Sequence, residues 1–79
     1  MQDMALLGAN LRRAMKARFP NDDLRAFSIR VGCSRATLQK MLKGDGSVAL
    51  GKYLEAAQLL GVTTGFENLF KIEPSLFDD

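Results

Sequence analysis

Residues 24–44, LRAFSIRVGCSRATLQKMLKG, read as two short helices joined by a three-residue turn. Asp23 can accept hydrogen bonds from the first free N–H groups of a helix. The turn 32–34 begins with a glycine, which can take the left-handed conformation that ends a helix. Between these signals, three apolar residues recur at intervals of three and four, which predicts an amphipathic helix. They are Leu24, Phe27 and Val31.

A second helix is predicted from Arg35, because Ser34 can cap it and its apolar residues again fall on one side. The inward residues are Leu38, Met41 and Leu42. The outward residues are Arg35, Ala36, Gln39, Lys40 and Lys43. Most of the outward side chains are hydrogen-bond donors and none is acidic. This face therefore suits the major groove of DNA in both width and hydrogen-bonding character.

Charge is divided unevenly along the chain, although its net value is only +2. Residues 1–52 contain ten Lys or Arg and four Asp or Glu, whereas residues 53–79 contain one and five. Nucleic-acid affinity rests heavily on the neutralisation of phosphates. The basic front half therefore fits a polyanion, and the acidic C-terminal part would be repelled by the same partner.

Length and composition narrow the class of protein further. Seventy-nine residues of ordinary composition predict one globular domain that is marginally stable alone, so oligomerisation would help it. No apolar run approaches the roughly 20 residues of a membrane span, and the N-terminus lacks a signal-peptide pattern, so we expect a cytoplasmic protein without membrane contact. With one cysteine and no histidine, we expect no metal, no cofactor and no enzyme activity.

Residues 3–18 predict a first helix whose apolar stripe backs the two central helices. The stripe consists of Leu7, Leu11 and Met15. Gly8 is expected to weaken this helix by about 1 kcal/mol relative to alanine. Pro20 stops it, and we expect Phe19 to fold back as a lid on the core.

Residues 44–47 form a loop by composition, with Gly44 placed to end the second central helix. Ser47 is either part of a simple linker or a phosphate contact that offers its hydroxyl and backbone N–H. Residues 49–60 predict another helix, which closes the core and ends at a glycine. In this helix we expect Tyr53 to pack inward with its hydroxyl at the surface, and the alternative is that it contacts a phosphate.

The C-terminal part of the chain is apolar and acidic. The spacing of Phe66, Leu69 and Phe70 predicts a short fifth helix before Pro74, and three of the five phenylalanines lie in residues 66–79. A segment this apolar on so small a domain either covers its own core or meets another chain. Its candidate dimer or partner contacts are Phe66, Leu69, Phe70 and Phe77.

The phrase GCSRATLQKMLKG, preceded by Phe27 and Val31, resembles the central motif of the lambda-repressor-like (Cro/Xre-type) helix-turn-helix family. The turn glycine of that family matches Gly32. The likeness runs from about Leu6 to Val62 and covers most of the chain. It implies an all-α, compact four- to five-helix lambda-repressor-like DNA-binding domain with a helix-turn-helix at residues 1–65. Residues 66–79 are then a C-terminal apolar and acidic segment for core cover, dimerisation or partner binding.

One departure from this family concerns the core. Many members carry an arginine late in the first helix and a glutamate late in the recognition helix, and these side chains pair inside the fold. The matching positions here are Met15 and Leu42. Two apolar side chains in place of a buried ion pair remove a desolvation penalty, so we expect the two to touch and the fold to persist.

The resemblance also implies roles for individual residues. By matching positions, Arg35, Ala36 and Lys40 read bases, with Ser34 near the phosphates. Gln39 lies beside Lys40, and its amide can contact an adenine. The further candidate phosphate contacts are Arg25, Lys43 and Ser47.

The expected function is sequence-specific transcriptional regulation, most simply repression, by a homodimer that binds a palindromic operator in double-stranded DNA through residues 34–43. Similar proteins include phage repressors, other bacterial regulators and antitoxins that bind both an operator and a toxin. The apolar, acidic C-terminal segment is similar to that of small HipB-type antitoxins, and short phage repressors end in the same way. A protein-interaction module that has lost DNA binding is the alternative from another class, and it should lack the donors of the second central helix.

Overall fold

Five helices make up the fold in the computed structural model, which describes residues 2–70. They are α1 (Gln2–Arg18), α2 (Leu24–Val31), α3 (Arg35–Leu42), α4 (Leu50–Leu60) and the four-residue α5 (Thr64–Glu67). No strand occurs within residues 2–70. The predicted all-α class is therefore confirmed.

One apolar core holds α1 to α4 together. Phe27, Leu38 and Met41 are completely buried at its centre. Around them lie seven more buried residues, which are Leu11, Met15, Val31, Leu42, Tyr53, Ala56 and Leu60. The main packing contacts join α1 to α3, α2 to α3 and α4, and α1 to α4. Helix α3 therefore rests on both of the helices that precede it.

The residues that the sequence indicates as helix caps begin and end the helices on either side of the turn between α2 and α3. The Asp23 carboxylate accepts from the N–H of Ala26 at 2.8 Å and begins α2. Gly32 ends α2 in the left-handed conformation at φ 82°. The N–H groups of Gly32 and Cys33 donate to carbonyl groups in the last turn of α2. The hydroxyl of Ser34 then accepts from the N–H of Thr37 at 3.0 Å and begins α3. Both predicted helix starts are confirmed.

Helix α1 crosses the end of α3 at a distance that only glycine permits. A Cβ atom added at Gly8 would lie 2.8 Å from the carbonyl carbon of Leu42 and 2.8 Å from the backbone nitrogen of Gly44. A Cβ atom added at Gly44 would lie 2.9 Å from the nitrogen of Ala5 and closer still to the carbonyl group of Met4. Gly44 also has φ 75°, which disfavours every other residue type. The two main chains therefore touch directly.

The connector after α1 is held by an aromatic and charged cluster. Phe19 packs against the core, with its ring centroid 6.1 Å from that of Phe27, so its predicted role as a lid is confirmed. The guanidinium of Arg30 lies 4.1 Å from the centroid of the Phe19 ring and forms an ion pair with Asp22. The hydrogen bond to Asp22, together with the charge of that carboxylate, raises the pKa of Arg30. The cluster fixes the connector against the back of α2.

Tyr53 is buried, but the prediction for its hydroxyl is wrong. The hydroxyl donates to the backbone carbonyl of Asp45 at 2.8 Å instead of reaching the surface. Burial raises the pKa of Tyr53, so the hydroxyl keeps its proton at neutral pH. The bond ties α4 to the loop that follows α3.

The C-terminal helix is shorter than predicted. Because α5 is capped at Asn68, Leu69 and Phe70 lie beyond it. Phe66 is half-buried and packs against the core of its own chain, whereas Leu69 is exposed and Phe70 is 91% exposed. The predicted contact at Phe77 lies outside the described residues. Within residues 2–70, no helix is both long enough and apolar enough to cross a membrane.

Candidate nucleic-acid interface

The outward face of α3 is exposed to solvent. Its predicted outward residues are all exposed, and they are Arg35, Ala36, Gln39, Lys40 and Lys43. Leu38, Met41 and Leu42 are all buried on the opposite side. Among the described side chains, none forms a hydrogen bond or ion pair with Arg35, Gln39 or Lys43. The donors of these three side chains are therefore available to a ligand.

The start of α2 lies beside this face and adds another cation. Asp23, Leu24, Arg25, Arg35 and Gln39 line one open cleft of about 260 Å³. The Asp23 carboxylate, which caps α2, also brings a negative charge into this cleft. Arg25 and Arg35 thus come together from two helices, although ten residues separate them in the sequence.

Two of the candidate phosphate contacts are already engaged within the chain. The hydroxyl of Ser34 donates to Oγ1 of Thr37 at 3.0 Å while it accepts from the N–H of the same residue. The N–H of Ser47 donates to the Asp45 carboxylate at 2.8 Å, so the predicted free N–H at Ser47 is wrong. A short Asp-x-Ser turn accounts for this second case, because an aspartate commonly accepts from the N–H two residues on. A phosphate at Ser47 would also meet the charge of Asp45.

Asp45 is the residue at this surface that the sequence reasoning missed. Hydrogen bonds from the backbone and side chain of Ser47, together with the positive charge of Lys40, lower its pKa. The carboxylate is therefore ionised at neutral pH and partly offsets the charge of Lys40. Helix α3 carries no carboxylate of its own, but the loop behind it brings one close. The Asp-Gly-Ser sequence after the helix was the signal that could have indicated it.

Lys52 links α4 to the turn between α2 and α3. Its ammonium donates to the carbonyl of Gly32 at 3.2 Å and lies 3.3 Å from the carboxylate of Glu55. Cys33 lies half-buried in the same turn, and burial raises the pKa of its thiol. A thiol with a raised pKa is a poor nucleophile at neutral pH. These contacts brace the start of α3 and leave its outward face open.

A second surface feature, which we call the apolar groove, lies between α1, α4 and α5. Its volume is about 380 Å³. Its lining includes Leu7, Leu11, Ala14, Ala57, Leu60, Phe66 and Leu69. Two of the candidate partner contacts, Phe66 and Leu69, are therefore in this groove, and Phe70 follows directly in the chain.

The chain thus presents a basic and amide-rich surface on α3 and α2, and an apolar groove between other helices. Arg25, Arg35 and Gln39 share one cleft, and Lys43 is exposed at the far end of α3. Compared with known proteins, the chain matches no protein-family model, no curated protein and no solved structure.

Proposed function

We propose that this protein is a sequence-specific DNA-binding regulator of transcription with a lambda-repressor-like helix-turn-helix, in which α3 is the recognition helix. The observation that carries the proposal is the outward face of α3, where exposed donors stand without partners among the described side chains, at the end of a tight, doubly capped turn. A helix of this width fits the major groove, and its N-terminal residues are the ones that reach base edges.

Each outward residue has a chemistry that matches part of such a complex. Arg35 is placed at the N-terminal end of α3, where a guanidinium can bind O6 and N7 of a guanine. One turn further on, the amide of Gln39 can pair with N6 and N7 of an adenine, and the ammonium of Lys40 lies next to it. Ala36 offers a methyl group to a thymine methyl. Arg25 and Lys43, at the two edges of this surface, suit phosphates on either side of the groove.

The proposed active form is a homodimer on a palindromic operator, and the simplest result of its binding is repression. One eight-residue recognition helix contacts few base pairs, whereas two copies related by a two-fold axis double the specific contacts. Leu69 and Phe70 are our candidates for such a contact, because they are neighbouring large apolar residues that are exposed, and exposed apolar surface favours association.

The test is to compare Arg35→Ala with Lys43→Ala on a DNA sequence selected from a random pool. A bidentate arginine–guanine contact gives about 1–3 kcal/mol of discrimination between bases, whereas a phosphate contact strengthens all sequences alike. We therefore expect Arg35→Ala to relax specificity at one base pair per half-site. Lys43→Ala should weaken selected and random DNA together and lower the salt slope by about one.

Binding of both variants should be measured on the selected duplex, its single-base variants and random duplex over a salt series. If Arg35→Ala leaves the ratio of the affinities for selected and random DNA unchanged, Arg35 does not read a base. If the unaltered chain selects no sequence, and captures a protein in a manner insensitive to salt, the protein-interaction alternative replaces the proposal.

A further inference from the structure

Two consecutive residues of α4 make hydrogen bonds at the two ends of α3. The ammonium of Lys52 donates to the carbonyl of Gly32 at 3.2 Å, in the turn where Ser34 caps α3. The hydroxyl of Tyr53 donates to the carbonyl of Asp45 at 2.8 Å, in the loop that follows α3. Because consecutive helix positions are about 100° apart around the axis, neighbouring side chains can reach opposite ends of a packed helix. Helix α4 therefore contacts α3 at both of its ends.

The two ends of α3 differ in what else holds them. At the C-terminal end, the main chain of α1 touches that of α3 through Gly8 and Gly44. The turn at the N-terminal end begins with Gly32, where no described atom beyond the chain neighbours lies within 4 Å of an added Cβ. Cys33 packs against the core, but a glycine in such an open position keeps many backbone conformations accessible. The bond from Lys52 therefore restrains the turn where packing restrains it least.

We propose that Lys52 is a positioning residue for base recognition, because its bond to the Gly32 carbonyl fixes the N-terminal end of α3 and thus the approach of Arg35 to a guanine. This inference rests on the proposed function and names a residue that controls it without touching DNA. Arg35 is the first residue of α3 and follows the capping Ser34 directly, so a movement of the turn moves Arg35 with it. A bidentate contact needs two N–H groups aligned with O6 and N7 of one base, which makes it sensitive to the angle of the helix end.

The partners of Lys52 suit this role better than a role in stability. The C-terminal end of a helix carries partial negative charge, so the end of α2 at Gly32 attracts an ammonium. The Glu55 carboxylate, 3.3 Å away, is the second partner. The side chains of this ion pair are 37% and 50% exposed, and a pair exposed to this degree adds little to stability. We therefore expect loss of the ammonium to change the melting temperature little and to change DNA selectivity more.

The test compares Lys52→Met, which removes the ammonium and keeps an apolar side chain, with Lys52→Arg, which keeps a charged donor. Binding is measured on the selected duplex, its single-base variants and random duplex over a salt series. We expect Lys52→Met to lower the ratio of the affinities for selected and random DNA several-fold. The loss should occur at the base pair that Arg35 reads, while the affinity for random DNA and its salt slope stay unchanged. Lys52→Arg should recover most of the ratio.

Two control variants separate this bond from its neighbours. Tyr53→Phe removes the bond from α4 to the other end of α3 and keeps the buried ring, so base discrimination by Arg35 should persist. Glu55→Gln removes the charge that pairs with Lys52 but leaves the bond to Gly32, so its selectivity should equal that of the unaltered chain.

A measurement without DNA separates this inference from the proposed function. Residual dipolar couplings of the backbone N–H groups report the direction of α3 relative to α4 in the free protein. We expect Lys52→Met to change the couplings in the first turn of α3, and Lys52→Arg to restore them. If the unaltered chain selects no DNA sequence, the proposed function fails, and these couplings alone decide whether Lys52 positions α3.

Three outcomes would overturn the inference. Unchanged couplings in Lys52→Met would show that the end of α3 is held without this residue. An unchanged affinity ratio would show that base reading does not depend on Lys52. An equal loss of affinity for selected and random DNA, with the salt slope lowered by about one, would show that Lys52 contacts a phosphate itself.

Discussion

A methyl group on the α-carbon of Gly8 would lie 2.8 Å from the backbone nitrogen of Gly44, a distance that real side chains do not adopt. The nearby atoms belong to main chain, which cannot move aside as a flexible side chain can. Helix propensity alone favours alanine at this position by about 1 kcal/mol. The steric cost of overpacking, typically 1–3 kcal/mol, opposes and exceeds that gain.

We therefore predict that Gly8→Ala lowers the free energy of unfolding by up to about 2 kcal/mol, the steric cost less the gain in helix propensity. The matched control is Gly51→Ala, which is also helical but has no atom within 4 Å of the added Cβ and should be neutral or stabilising by up to about 1 kcal/mol. Urea unfolding of both variants measures the difference. A Gly8→Ala variant as stable as the Gly51→Ala variant would mean that α1 and α3 are further apart than described.

Asp45 lies in the loop after α3, and its charge interacts with Lys40 of that helix. Its carboxylate lies close enough to Lys40 for the lysine to lower its pKa, so it draws positive charge away from the outward face of α3. We predict that Asp45→Asn strengthens binding to selected and random DNA by a few-fold, because a like-charge repulsion between carboxylate and phosphate disappears. Asp3→Asn in α1 is the control for a general change of net charge and should have a smaller effect.

The same substitution should change the response of stability to acid. The pKa of Asp45 is lowered in the folded chain, so the stability that it contributes is present above the unfolded pKa and is lost as the pH falls through the folded pKa. Thermal melting between neutral pH and about pH 2 should therefore show a shallower acid loss in Asp45→Asn. An identical pH profile in both proteins would contradict the assigned hydrogen bonds.

Helices α1 and α3 each contribute an apolar side chain to the core at the next pair of positions. Met15 and Leu42 are both buried in the same core cluster. We predict that Leu42→Glu lowers the free energy of unfolding by several kcal/mol, because it leaves an uncompensated charge, and that adding Met15→Arg recovers part of the loss. Unfolding of the two single variants and the double variant gives their coupling energy.

The control is the volume-conserving swap of Met15→Leu with Leu42→Met, which should lower the free energy of unfolding by less than about 1.5 kcal/mol. Strict additivity of the charged substitutions would show that the two side chains do not interact.

For the whole molecule, we predict a dimer that binds two half-sites roughly 34–36 Å apart, about one turn of DNA. Sedimentation at tens of micromolar should give twice the mass of the 79-residue chain. Phe70→Ser should weaken association because Phe70 is 91% exposed, whereas Leu50→Ser, at another exposed apolar position, should not. A monomer that binds one half-site as tightly as the palindrome would exclude this mode of binding.

Local signals in the sequence were enough to predict much of this architecture. Asp23, Gly32 and Ser34 act through atoms of their own turns, and they cap the helices where they were expected to. The inward and outward residues of α3 also follow from helix periodicity alone. The face that carries the candidate site could therefore be read from sequence before its neighbours were known.

Contacts between distant parts of the chain could not be predicted in this way. Gly8 has an unfavourable helix propensity, and only its approach to Gly44 shows why it is there. The hydroxyl of Tyr53 in α4 bonds to the loop after α3, and the charge of Asp45 in that loop interacts with Lys40 of α3. Helix periodicity predicts neither contact. The cleft shared by Arg25 and Arg35 likewise depends on the angle between two helices.

The direct main-chain contact at Gly8 and Gly44 has a practical meaning for protein engineering. It fixes α3 from behind without using any atom of the outward side chains, so the angle of this helix does not depend on what those side chains are. The five outward positions, 35, 36, 39, 40 and 43, can then be varied together in a library while the scaffold stays the same. Variants selected from such a library would bind new ligands through the chemistry of their side chains, while the position of α3 stays the same.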